Sequence, residues 1–136
     1  MKLIISILLA VFLLDGCSKK ELEPYVVILN LLPSNENVLT AGQWVDINVV
    51  AEARNIKEEG DLSLVVQGSD GSSLGLDGPV PVSNRVPHTF HAKFKVPPVA
   101  SISIFTPYLK KGESESSTLD RRIYRVVGRA INGNKD

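Results

Sequence analysis

The chain has 136 residues, 15 Lys+Arg balanced by 15 Asp+Glu, and one cysteine. That length holds one domain, zero net charge removes the basic field that nucleic-acid binding needs, and a single thiol can neither close an internal disulfide nor build a cysteine zinc site. DNA and RNA are therefore excluded as principal partners, and apolar packing has to hold the fold.

Residues 3–14 form a run of twelve uncharged positions, interrupted only by Ser6 and preceded by Lys2. As a helix the run spans about 18 Å at about 1.5 Å per residue. That is short of the roughly 30 Å hydrocarbon core, so it fits a signal-peptide core and not a membrane-crossing anchor. The run ends at Leu14-Asp15-Gly16-Cys17. These residues resemble the lipobox of bacterial lipoproteins: an apolar residue at the third position before the cut, Gly immediately before it, and Cys after it. Asp15 stands where that family prefers a small or hydroxyl residue. The resemblance implies removal of residues 1–16 as a lipoprotein signal peptide, a diacylglyceryl thioether on Cys17, and acylation of the new amino terminus. This covalent lipid is the only attached group expected; no cofactor and no metal are. Each buried methylene contributes about 0.8 kcal/mol, so two or three acyl chains hold a protein firmly on a bilayer. Under the enterobacterial sorting rule, Ser18 after the lipidated Cys implies the outer membrane facing the periplasm if the cell is Gram-negative.

Without residues 1–16 the hydrophobic fraction falls from 43% to about 39%, and the remainder holds 15 Val against six Ala, with eight Pro and nine Gly. That balance favours strands and turns over helices. Residues 17–24 read as the lipidated terminus and a short polar tether, and its seven residues after Cys17 reach about 24 Å at about 3.4 Å each.

A β domain is expected over residues 25–131, followed by a polar tail at 132–136. Residues 25–32 are nearly continuously apolar and close at Pro33-Ser34-Asn35. Residues 43–50 alternate, with Val45, Ile47 and Val49 on one face and Asp46 and Asn48 on the other. Residues 62–67 place Leu62, Leu64 and Val66 inward before the turn Gly68-Ser69-Asp70-Gly71. Residues 89–96 place Phe90, Ala92, Phe94 and Val96 inward, and residues 101–105 put Ile102 and Ile104 on one side. Six or seven strands in such a chain fit an all-β fold, an antiparallel two-layer sandwich. The segments Leu39-Thr40-Ala41-Gly42-Gln43-Trp44-Val45-Asp46-Ile47-Asn48-Val49 and His88-Thr89-Phe90-His91-Ala92-Lys93-Phe94-Lys95-Val96-Pro97 resemble strands of bacterial immunoglobulin-like domains. The resemblance implies an Ig-like sandwich and carries no function of its own. Residues 119–131 read either as a strand or as a helix; the strand formers in Ile123-Tyr124-Arg125-Val126-Val127 and the break at Gly128 favour a final strand.

Catalytic patterns are missing. His88 and His91 point to opposite faces of a strand and cannot share a metal. Asp70, Asp77 and the glycines between Gly68 and Gly78 lack the spacing of a calcium loop and read as a flexible hairpin loop. There is no Gly-x-Ser-x-Gly turn, the sole Cys is committed to lipid, and Glu58-Glu59 and Glu113 with Glu115 sit in polar loops with nothing to raise a pKa. The chain is expected not to be an enzyme.

What remains is surface. Trp44 and Phe105 lie out of phase with their inward-facing neighbours, and Arg121, Arg125 and Arg129 recur every fourth residue. Aromatic residues and Arg dominate protein interfaces, so these five are the candidate partner-binding residues. The leading expectation is a lipid-anchored protein of the bacterial cell envelope that contacts the bilayer through its acyl chains and an envelope protein through its surface, as accessory to a secretion, transport or surface assembly. The alternative is a small-ligand or glycan binder using loops at one end of the sandwich, such as 68–78 and 110–118. A third, an envelope hydrolase with an unrecognised site, is kept from the enzyme class. An exposed sheet edge that adds a partner strand is a further route to binding.

Overall fold

The computed structural model describes residues 23–114, 116 and 118–128. The expected signal peptide, Cys17, most of the tether, Arg129 and the tail lie outside the described residues.

Eight strands form in chain order: β1 (Tyr25–Leu32), β2 (Leu39–Thr40), β3 (Trp44–Arg54), β4 (Gly60–Gly68), β5 (Ser73–Val82), β6 (His88–Lys95), β7 (Ser101–Lys110) and β8 (Thr118–Val127). They build two sheets, one of three strands in the order β1-β3-β6 and one of five in the order β2-β8-β7-β4-β5. The fold is the expected all-β two-layer sandwich, with the last segment a strand. Two elements exceed the sequence reading. β2 is only two residues long and pairs parallel to β8 through Leu39 and Thr40, opposite Val126 and Val127, so the sandwich is not wholly antiparallel. β5 occupies much of the stretch read as a flexible loop. Its Leu76 and Gly75 pair with Val65 and Val66 of β4, and the Gly and Pro that suggested a loop serve a bulged edge strand instead. The register shifts between Leu62 and Leu64. There Gly78 adopts φ 93°, and an added Cβ would come 3.0 Å from the Leu62 carbonyl oxygen.

Alternation along each strand fills the space between the sheets. Ile47, Val49, Phe90 and Phe94 from one sheet meet Leu62, Leu64, Val66, Ile102 and Ile104 from the other, all buried. Two tyrosines complete the core and find acceptors for their hydroxyls, as buried phenols must. Tyr108 O–H donates to the Glu58 carbonyl (3.0 Å) and Tyr124 O–H to the Pro33 carbonyl (2.5 Å). Burial pushes both phenols up from their ordinary pKa, with nearby carboxylates adding to the shift at Tyr108.

Register fixes the two ends of the sandwich. Tyr25 lies opposite Arg54, Gly60 opposite Lys110 and Tyr108 opposite Thr118, so the chain enters beside loops 55–59, 83–87 and 111–117. Trp44 lies opposite Lys95, Gly68 opposite Ile102 and Ser101 opposite Arg125, which puts turns 41–43 and 69–72 and loop 96–100 at the far end with Gly128. The loops 68–78 and 110–118, expected together at one end, are therefore apart: β4 and β7 run antiparallel, and ten-residue β7 separates them by about 30 Å.

Candidate interaction face

An open sandwich presents strand edges and sheet faces, and the edges are closed here by side chains. At the seam between β1 and β8, the Ile28 N–H donates to Asp120 Oδ2 (2.8 Å) while Arg122 Nη2 donates to the Ile28 carbonyl (3.4 Å). The same two side chains satisfy the edge of β8 itself: the Arg121 N–H donates to Asp120 Oδ1 (2.8 Å) and Arg122 Nη1 donates to the Arg121 carbonyl (3.0 Å). An Asp120–Arg122 ion pair at 3.1 Å joins them. At the opposite seam the His91 N–H of β6 donates to Asp77 Oδ2 (2.8 Å). β5 carries Pro79 and Pro81, and β2 is too short to template a strand. Short edges, prolines and charged side chains turned onto the backbone are devices that blunt strand addition.

The faces differ from each other. The three-stranded sheet shows water Asp46, Asn48, His91, Lys93 and Lys95, with His91 Nε2 against Asp46 Oδ1. The outer face of the five-stranded sheet is apolar in its middle. Register places Arg121 of β8 beside Phe105 of β7, Phe105 beside Val65 of β4, and Val65 beside Leu76 of β5. This row crosses four strands, about 14 Å at about 4.8 Å per step. Along β8, Leu119, Ile123 and Val127 are 45%, 42% and 39% exposed and alternate with the exposed Arg121 and Arg125. Leu76 is 68% exposed. The Arg121 guanidinium lies 5.8 Å over the Phe105 ring, a cation–π contact contributing about 0.5–1 kcal/mol at such an exposed site.

Three of the five expected binding residues thus share one face: Phe105, Arg121 and Arg125. Trp44 does not join them. It is 66% exposed at the start of β3, on the other sheet. Arg129 lies outside the described residues. Leu119, Ile123 and Val127 belong to the same face and are recoverable from period-two counting along β8, as Val65 is along β4; Leu76 is found only through the β4–β5 pairing.

Other polar groups are committed structurally. Asp70 Oδ1 accepts the Ser72 N–H (3.0 Å) and hydroxyl (2.6 Å), which holds its carboxyl below the usual range. Glu58 and Glu59 face Lys110 and Lys111 at 3.7 and 3.6 Å. His88 sits against the Phe90 ring (4.7 Å between centroids), on the face opposite His91. Among the described residues no three His, Cys, Asp or Glu side chains come together. At the far end a shallow groove of about 610 Å³ is lined by Ala41, Gly42, Lys95, Val96, Pro97 and others.

Comparison with protein-family models and with curated proteins gives no match.

Proposed function

We propose that the protein is a non-enzymatic lipoprotein of the bacterial cell envelope, held on the membrane through acylated Cys17, whose Ig-like sandwich binds another envelope protein with the outer face of its five-stranded sheet. In a Gram-negative cell it sits on the outer membrane facing the periplasm, as accessory to a secretion, transport or surface assembly. The observation that carries the binding part is the contrast between capped edges and an open apolar face: Asp120, Arg122 and Asp77 close the seams, while Leu76, Ile123 and Leu119 stay exposed. Exposed apolar patches ringed by polar groups mark interaction sites. The lipobox Leu14-Asp15-Gly16-Cys17 and the tether of about 24 Å support the anchor and confine partners to the membrane surface.

Two measurements test this. Cys17→Ser should abolish lipid modification and release the protein from membranes; unchanged fractionation and processing overturn the anchor. Chemical crosslinking of the intact lipidated chain should recover one heterologous envelope protein in stoichiometric amount, and recovery of the chain alone overturns the binding reading.

A second reading is favoured by one observation. The far-end groove of about 610 Å³ lies beside the start of β3, where Trp44 is widely exposed, and an exposed ring next to a groove suits a glycan or small apolar ligand. Trp44 fluorescence titrated with glycan fragments separates the readings: a saturable shift supports the second, and none leaves the first.

A further inference from the structure

We propose that the partner seated on the five-stranded face is a protein surface bearing two carboxylates on either side of an apolar centre, read by Arg121 and Arg125 flanking Ile123. This rests on the docking face proposed above and names the chemistry of its occupant.

The chain is neutral overall, and several of its cations are answered within the fold: Lys110 by Glu58, Lys111 by Glu59, Arg122 by Asp120 and Arg54 by Glu52. Among the described residues, Lys93 and Lys95 stand unpaired on the polar three-stranded face, whereas Arg121 and Arg125 stand among exposed apolar side chains. Neither arginine enters an ion pair among the described residues; Arg121 lies over Phe105, and Arg125 stands exposed on the same side of β8. Both alternate with the exposed Leu119, Ile123 and Val127 along β8. Among the described residues, Asp61, opposite Leu109 and Pro81 near the end where the chain enters, is the acidic residue on this sheet face. The middle of the face is therefore apolar and cationic, and its complement is apolar and anionic. Guanidinium groups suit that task, since each offers a planar fork to a carboxylate and sheds water more readily than an ammonium.

Geometry sets the spacing. Arg121 and Arg125 are four residues apart on one strand, about 13 Å, with Ile123 between them. Two other occupants fit less well. A second copy in two-fold symmetry would bring four unpaired arginines against each other with only Asp61 from each chain to answer them. A headgroup layer at the end where the chain enters lies nearer Arg121 than Arg125, because β8 runs away from that end.

The test uses the full lipidated chain in its native cells, with a photo-crosslinking amino acid in place of Ile123. The expected product is one heterologous protein adduct whose crosslinked segment carries Asp or Glu. Its yield should fall about ten-fold or more in Arg121→Glu/Arg125→Glu and hold steady in Lys93→Glu on the other face. The urea midpoint of each purified variant verifies that the fold is retained. Adducts with a second copy or with phospholipid overturn the proposal. A heterologous adduct whose yield ignores the double charge reversal overturns the acidic partner but leaves the docking face standing. Adducts from a crosslinker at Trp44, with none from position 123, overturn the face as well.

Discussion

Removing the Asp120 carboxylate opens the seam between the sheets, and the structure allows the cost to be worked out. Asp120 accepts the part-buried Ile28 N–H, the exposed Arg121 N–H and one Arg122 nitrogen at 2.8, 2.8 and 3.1 Å. A hydrogen bond to a charged acceptor contributes about 1.5–3 kcal/mol where water is excluded; Ile28 is buried, so Asp120→Ala loses about 2 kcal/mol there. The Arg121 N–H finds water and adds a few tenths. The ion pair with Arg122, whose side chain is one-third exposed, adds about 0.5 kcal/mol after screening. The total is about 3 kcal/mol, a large part of the 5–15 kcal/mol typical of a domain. Equilibrium urea unfolding should show it as a lower midpoint, about 1.5 M for a slope of about 2 kcal/mol/M, with the slope unchanged. Asp120→Asn keeps an oxygen for Ile28 and should cost about 1 kcal/mol. The Ala variant also bares the Ile28 and Arg121 backbone groups, so it should self-associate at concentrations where the parent is monodisperse. A loss below about 0.5 kcal/mol without new self-association would show that the seam is not held by this carboxylate.

Tyr124→Phe should cost about 1 kcal/mol at neutral pH, because it strands the Pro33 carbonyl. Burial raises the Tyr124 phenol, so its contribution is intact below the unfolded value of about 10 and is lost as pH rises above it, at up to about 1.4 kcal/mol per unit. The gap between variant and parent should close near pH 11 in urea titrations; a constant gap contradicts the shift. Gly60→Ala would drive a Cβ to 2.5 Å from the Tyr108 ring and hydroxyl, and the cost should be about 1–3 kcal/mol, with near-UV circular dichroism reporting the displaced ring. Leu76→Asp, on an exposed site, should leave the unfolding free energy from urea titration within about 0.5 kcal/mol of the parent.

Much of the sandwich was legible because period-two patterns are local. Leu62-Ser63-Leu64-Val65-Val66 and Phe90-His91-Ala92-Lys93-Phe94 announce both strand and inward face, and the structure buries the expected side chains. β5 escaped because Gly75, Gly78, Pro79 and Pro81 interrupt its apolar Leu74, Leu76, Val80 and Val82 and read as a loop; only pairing with β4 makes it a strand. β2 escaped for a similar reason, since a two-residue parallel contact with β8 leaves no periodicity. At the candidate site, phase alone indicated that Trp44 and Phe105 leave the core, yet phase does not say which sheet a strand joins. Trp44 and Phe105, both candidate binding residues, lie on opposite faces. The Asp120–Arg122 seam was hidden too, because its partner, Ile28, is 92 residues from Asp120.

The most direct measurement of the central claim compares the two faces in one assay. Leu76→Asp and Ile123→Asp on the five-stranded face, and Asp46→Lys and Lys93→Asp on the three-stranded face, are each introduced into the lipidated chain, and recovery of the crosslinked envelope protein is quantified. Recovery should drop about ten-fold or more for the first pair and stay at the parental level for the second. The reverse pattern, loss from the three-stranded face and none from Leu76→Asp or Ile123→Asp, would contradict it.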